Sequence, residues 1–267
     1  MIGRNEAEHL RCALMSVRSF TDEIVFVDTG SVDSTSDIAQ AFGAKVLRFS
    51  WTDDFAAARN HALEHCSSDW ILSIDCDEEL VSVDTTAALF SNLKSNKSDV
   101  AFVLDIENRL PGGGVDTHQD VRIFRNSPLI RYCNPIHESV SPSVHRLTPK
   151  KCISRLPLSI KHNGYCTPEN NKLKLIRNQK ILCQWVSSEP DNPYAWYKLG
   201  LTLRALASEH ASACLFRSFE LVVADKDPGS FAFRHELLES LLRSLDERSQ
   251  ALVSVIRAEW ARTFPLS

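Results

Sequence analysis

The run Ile24-Val25-Phe26-Val27 is apolar without a break, rich in β-branched and aromatic residues, and stops at Asp28. A strand with one wet face would alternate in polarity. This one must be covered on both faces, the condition of a strand in a parallel sheet flanked by helices. Leu10, Leu14 and Val17 precede it on one helical face, with Asn5 and Glu8 spaced as a capping box. A second helix is expected over residues 32–42, stopped by Gly43, and a third begins at Asp54 and runs over 55–66. Strands are expected at 45–49 and 70–74, and later at 100–106, 120–124 and 156–162, where the sheet becomes mixed. Pro111-Gly112-Gly113-Gly114 lies between two of these runs and reads as a hairpin connection, with a mobile acceptor-side loop as the alternative.

After about residue 168 the strand signals stop and helical periodicity continues to the end, which divides the chain into domains 1–167 and 168–267. Pro190, Pro193, Trp196, Leu199, Gly200 and Leu203 have the spacing of a tetratricopeptide helix pair, and Phe216 falls where its second helix carries an aromatic. One such pair cannot bury its apolar face alone, so helices near 170–187, 229–245 and 247–263 are expected to stack beside it.

Thirty Lys plus Arg against thirty-four Asp plus Glu leave a net charge of −4, without the basic excess of a chain that tracks nucleic acid. The longest apolar run is the five residues Val100 to Leu104, too short to cross a bilayer, and Met1 to Glu6 hold no secretory signal pattern. Eight cysteines without a C-x-x-C pair argue against zinc and read as reduced thiols, so a cytoplasmic location is expected.

Four polar clusters fall at expected strand ends, where open α/β sheets bind ligands. They are Asn5-Glu6, the stretch Asp28 to Thr35, residues 54–60, and Asp75-Cys76-Asp77-Glu78. Asp28 ends a buried strand, so its carboxylate needs a donor that a ligand could supply. Asp75 and Asp77 leave one strand end together and repel unless a cation lies between them or one is protonated. Hard oxygen ligands suit Mg2+ or Mn2+, and one or two carboxylates plus substrate phosphates make the usual magnesium shell.

Met-Ile-Gly-Arg-Asn-Glu, Val-Asp-Thr-Gly-Ser-Val-Asp-Ser-Thr, Trp-Thr-Asp-Asp-Phe-Ala-Ala-Ala-Arg-Asn and Trp-Ile-Leu-Ser-Ile-Asp-Cys-Asp-Glu-Glu, in this order, resemble glycosyltransferase family 2 over about residues 1–165. The subgroup with appended helical repeats resembles the remainder. The resemblance implies an α/β fold of the GT-A type, a nucleotide-sugar-binding sheet with helices on both faces, followed by an all-α repeat-like domain. It also implies a nucleotide-diphosphate sugar donor, a divalent metal and inversion at the anomeric carbon. Glu6 and Asp28 would contact the nucleoside, with Ser31 and Asp33 on the same loop; Arg59 would lie near the base, and Asp75 and Asp77 near the metal and diphosphate. Glu138 is the candidate general base, with Asp120 behind it, and His162 in His162-Asn163-Gly164-Tyr165 is the candidate third ligand. Against these stand plainer roles: Glu138 pairing with Arg122 or Arg125, and His162 bonded locally. The family's first strand is longer than Met1-Ile2, so either the start is truncated or the base contacts are weakened.

The acceptor implied is a glycan or a peptide, and the helical part is expected to support acceptor recognition or homo-oligomerisation. A catalytically inert binding protein with a helical-repeat partner surface is the alternative from another class. A nucleotidyltransferase would need a glycine-rich basic phosphate loop after the first strand, and none is present.

Overall fold

The computed structural model describes residues 1–109, 114–147, 152–162, 168–245 and 250–264. The chain separates into two compact units, Met1–Tyr165 and Cys166–Ser267.

The first unit starts with three parallel strands, β1 (Ile2–Gly3), β2 (Val25–Asp28) and β3 (Lys45–Arg48), in the order β1-β2-β3. Between them come helices α1 (Leu10–Val17) and α2 (Thr35–Ala41), and after them α3 (Phe55–Leu63). The unbroken apolar run of β2 is explained by its two covers. Phe26 packs with Leu10, Leu14 and Ala39 from α1 and α2, whereas Val25 and Val27 pack with Ala58 and Ala62 from α3.

Two helix starts in this first part differ from expectation. Asn5 is not a helix cap: it has φ 57°, and its Oδ1 accepts from the Val32 amide at 2.9 Å, while α1 begins only after His9. Helix α2 starts at Thr35 and not at residue 32: Ser31 Oγ and Asp33 Oδ2 take the Asn5 and Ala7 amides of the neighbouring loop, and Asp33 Oδ1 takes the Thr35 amide that opens the helix. Asp54 caps α3 as expected, its Oδ1 taking the Ala57 amide at 2.8 Å.

A second, mixed sheet follows the order β4-β7-β6-β8-β5. Its strands are β4 (Trp70–Leu72), β5 (Glu78–Val81), β6 (Ala101–Arg109), β7 (Val115–Arg125) and β8 (Ile153–His162). Strand β4 therefore runs antiparallel to β7 and does not join the parallel sheet. Strands β6 and β7 pair antiparallel out to Arg109 and Val115, the geometry of a hairpin; Pro111, Gly112 and Gly113 of the expected loop lie outside the described residues. Leu104, Ile106, Ile123, Leu158 and Ile160 form the sheet's main apolar face. Strand β5 and the helices α4 (Thr86–Ser95) and α5 (Ser141–Leu147) have no counterpart among the sequence expectations. A cavity of about 420 Å³ separates Met1 and Val25 from Trp70 and Leu72, with Phe20 and Phe90 also in its wall.

The second unit consists of α6 (Pro168–Ser188), α7 (Pro193–Ala205), α8 (Ala211–Ala224), a short 3-10 turn, α9 (Arg234–Ser244) and α10 (Gln250–Thr263). Asn192 caps α7 through the Tyr194 and Ala195 amides. Its core joins Tyr197, Leu215, Phe219, Val222, Leu237, Leu241 and Ile256. Trp185 and Trp260 pack inside this unit, against Tyr194 and Phe219 respectively. No helix among the described residues is long and apolar enough to cross a membrane.

Candidate active site

The loops after β1 and β2 are stitched together by side chains expected to face a ligand. Ser31 Oγ accepts from the Asn5 amide at 3.0 Å, Thr35 Oγ1 from the Glu6 amide at 2.7 Å, and Asp33 Oδ2 from the Ala7 amide at 3.3 Å. Glu6 in turn meets His9 Nδ1 at 3.3 Å. Asp28 is buried, and the donors that a ligand could have supplied come from the chain itself. Its Oδ1 takes the Gly30 and Ser31 amides at 3.0 and 2.7 Å, and its Oδ2 takes the Ser36 hydroxyl at 2.5 Å. Burial pushes this carboxyl up, and those hydrogen bonds more than offset it, so it lies below the ordinary aspartate range. Gly30 permits the turn with φ 110°.

Arg59 belongs to a different set of contacts. From α3 it reaches Asp75 Oδ1 with Nη2 at 2.7 Å and Glu138 Oε1 with Nε at 2.6 Å, and its guanidinium stands 5.3 Å from the centre of the Tyr132 ring. One planar fork thus joins two carboxylates that the sequence places 63 positions apart. Glu138 accordingly pairs with neither Arg122 nor Arg125: Arg122 holds Glu78 and Asp120, and Arg125 donates to the Asn96 and Asp99 carbonyls while covering the Trp70 ring at 4.0 Å. Burial pushes Asp75 up, but Arg59 and then Arg122 outweigh it and bring its carboxyl to about 2.

The loop bearing Glu138 is held by groups the sequence did not single out. Asn60, one position after Arg59, clasps Tyr132 at both backbone groups, Nδ2 to the carbonyl at 3.0 Å and Oδ1 from the amide at 2.8 Å. Tyr132 donates its hydroxyl to Ser73 Oγ at 2.6 Å, and Pro135 O accepts from the Phe55 amide at 2.8 Å. Asn134 and His137 are in the left-handed region, φ 74° and 53°, conformations that side chains other than glycine adopt at a cost and that concentrate at functional sites. The presence of Asn60 beside Arg59 was the available signal.

Asp75, Arg59, Asp120, Arg122, Tyr132 and Glu138 line a single small cavity of about 140 Å³. Beside it, Asp77 Oδ2 lies 3.1 Å from His162 Nε2. The hydrogen bond to Asp77 raises the imidazole above its usual value, and burial, which would raise the Asp77 carboxyl, is outweighed by the same partner. The like charges of Asp75 and Asp77 are already offset by Arg59 and His162, so their proximity does not by itself demand a metal. Nor do Asp75, Asp77 and His162 converge: among the described residues no three His, Cys, Asp or Glu side chains form a metal-holding group, and Asp75 Oδ1 is engaged by Arg59. Asp77 and His162 alone, a carboxylate oxygen and an imidazole nitrogen facing each other, suit a divalent cation whose remaining ligands come from substrate phosphate and water. The rest of the expected motif, Asn163-Gly164-Tyr165, lies outside the described residues.

Residues 1–127 match glycosyl transferase family 2. This is a family 2 glycosyltransferase domain. The SPbeta prophage-derived glycosyltransferase SunS of Bacillus subtilis is 30% identical over 219 residues, covering 76% of this chain and 48% of its own length. A TPR repeat-containing protein of Synechococcus elongatus is 38% identical over 205 residues, 75% of this chain and 50% of its own length. The chain thus spans about half the length of these curated relatives. Staphylococcus aureus TarS, in its crystal structures with UDP-GlcNAc and with UDP, superposes with a TM-score of 0.53 at 12% and 14% identity, over 98% of this chain and 87% of TarS. That likeness is one of fold: the family 2 domain has the GT-A type of α/β architecture that its sequence implies.

Proposed function

We propose that this chain is a metal-dependent, inverting glycosyltransferase that moves a sugar from a nucleotide-diphosphate sugar to a glycan or peptide acceptor. The observation that carries this reading is the meeting of Asp75 and Glu138 on one guanidinium, that of Arg59, in the wall of one small cavity. The Asp77–His162 pair stands two residues further along the same turn. The fold is one in which TarS holds UDP-GlcNAc, which makes nucleoside-diphosphate sugars the ligands to test.

Asp77 and His162 would hold Mg2+ or Mn2+, which when bound offsets the charge gathering on the leaving diphosphate. Glu138 takes the proton of the acceptor hydroxyl as that oxygen bonds to the anomeric carbon; the electron pair of the sugar–phosphate bond leaves with the nucleoside diphosphate. Asp120 lines the same cavity, but its carboxylate is engaged by Arg122 at 3.2 Å and by the Val121 amide at 2.8 Å, and it ranks behind Glu138. The loops of Glu6, Asp28, Ser31 and Asp33 form the nucleoside side. In this reading 1–167 is the transferase domain and works in the cytoplasm, while the helical, tetratricopeptide-like 168–267 serves acceptor recognition or self-association.

Titration of UDP, GDP and CDP with Mn2+ into the protein, followed by donor hydrolysis and transfer assays, tests the reading. At least one nucleotide should bind, Asp77→Ala should abolish metal-dependent release of sugar, and Glu138→Gln should keep nucleotide binding while transfer falls by about 10²-fold or more. Failure of a folded protein to bind any of the nucleotides would overturn it, and binding without hydrolysis or transfer would favour the inert alternative.

A further inference from the structure

We infer that Asn108 is a positioning residue that sets which nitrogen of His162 faces the metal side; the inference rests on the reading of His162 as a ligand. The sheet brings the groups together by register. Strand β8 lies between β6 and β5, so His162 is opposite Asn108 on one side and Glu78 on the other, and Asp77 immediately precedes Glu78.

Across this row Asn108 Oδ1 is 2.9 Å from His162 Nδ1, and His162 Nε2 is 3.1 Å from Asp77 Oδ2. An amide oxygen only accepts, so Nδ1 carries a proton and donates it to Asn108. That leaves Nε2 as the nitrogen directed at the Asp77 carboxylate, to which it donates its own N–H until a cation takes that proton's place; a ring held at Nδ1 can then present the Nε2 lone pair without turning. Asn108 Nδ2 lies 3.1 Å from Nδ1 of His118 on β7, which accepts from it in this orientation of the amide. The reverse orientation would place an N–H against His162 Nδ1 and fix the opposite tautomer. The two arrangements respond oppositely to a carboxylate at position 108, which can only accept.

Mn2+ alone, titrated calorimetrically into the full chain, tests this with wild type, Asn108→Leu, Asn108→Asp and His162→Ala, each checked for wild-type thermal unfolding. Asn108→Leu should weaken Mn2+ binding by about 10–100-fold, the usual loss when the partner of a ligating histidine is removed, and His162→Ala by at least as much. Asn108→Asp should bind at least as tightly as wild type. This near-isosteric variant keeps the inference falsifiable if the leucine variant does not fold: binding weakened by more than about threefold in Asn108→Asp would overturn it. Loss in His162→Ala with wild-type affinity in Asn108→Leu would overturn the role of Asn108 and leave His162 a ligand. Wild-type affinity in His162→Ala, or no Mn2+ binding by the wild type either alone or with UDP present to supply phosphate ligands, would overturn the metal reading of His162 and this inference with it.

Discussion

Arg59 Nε donates to Glu138 Oε1 at 2.6 Å, a bond between residues 79 positions apart that ties α3 to the loop after Tyr132. The same guanidinium serves Asp75 at 2.7 Å and lies over the Tyr132 ring. A planar fork can address two carboxylates and a ring face at once. An ammonium on a flexible stem cannot.

Arg59→Lys should therefore fold but lose the joint placement of Asp75 and Glu138, whereas Arg59→Ala should also be destabilised. Removing one partner of a buried ion pair costs roughly 3–5 kcal/mol. The Asp75 side chain is 32% exposed, so solvent makes good part of its loss, and about 2 kcal/mol is the expected cost of the alanine change. Urea denaturation of the two variants checks the order, and a lysine variant as unstable as the alanine one would contradict it.

Glu78 and Arg122 make the more deeply buried pair, with side chains 3% and 12% exposed and two contacts at 2.7 and 3.1 Å. Glu78 Oε2 also receives the Asp75 amide at 2.8 Å, so the pair shapes the turn that carries Asp75 and Asp77. Glu78→Ala is expected to cost about 3 kcal/mol, the low end for a broken buried pair, since Asp120 still faces the guanidinium at 3.2 Å. In a double-mutant cycle, Glu78→Ala with Arg122→Ala should cost clearly less than the two single changes added together. Strict additivity in the denaturation midpoints would show that the pair is not coupled.

Asp28 gives the family 2 domain a defined acid sensitivity. Its folded carboxyl lies below the ordinary value: burial opposes ionisation, but the Ser36 hydroxyl and the Ser31 and Gly30 amides prevail. A depressed folded value means that the unfolded chain takes up the proton first. The stabilisation is thus complete above the unfolded value of about 4 and is lost as pH falls through the folded one. Wild-type stability should drop between pH 5 and pH 3 more than that of Asp28→Asn, which should be the less stable protein at pH 7. Parallel acid limbs in urea denaturation would refute this assignment.

The parts legible in the sequence depend on neighbours along the chain. Phe26 and Val27 report a doubly covered strand because both covers are recorded in one apolar run, and Asp54 reports a cap because its partner is three residues away. Asn5 has the composition of a cap, but its conformation is decided by the Val32 amide 27 positions later. Asp28 looked short of donors because a turn and Ser36 cannot be seen folding back onto it. Arg59, Asp75 and Glu138 were each singled out, yet their union was not. Nothing local encodes which carboxylate a guanidinium will reach, and for the same reason the Glu78–Arg122 pair passed unseen within an acidic run.

Gly200 offers a test of the helical unit that does not depend on any reading of its function. The glycine lies inside α7, where alanine would ordinarily gain about 1 kcal/mol. A Cβ there would stand 2.7 Å from the Leu215 side chain and 3.1 Å from its backbone nitrogen. Leu215 is completely buried, and its neighbours Tyr197 and Phe219 fill the same core, so the contact can be relieved only by moving α8 outward or forcing an unfavourable rotamer. Overpacking of that kind costs roughly 1–3 kcal/mol and should exceed the propensity gain. Gly200→Ala is therefore expected to lower stability by about 1 kcal/mol, and Gly200→Val by more, in thermal or urea denaturation. A stabilised alanine variant would mean that α7 and α8 do not approach this closely.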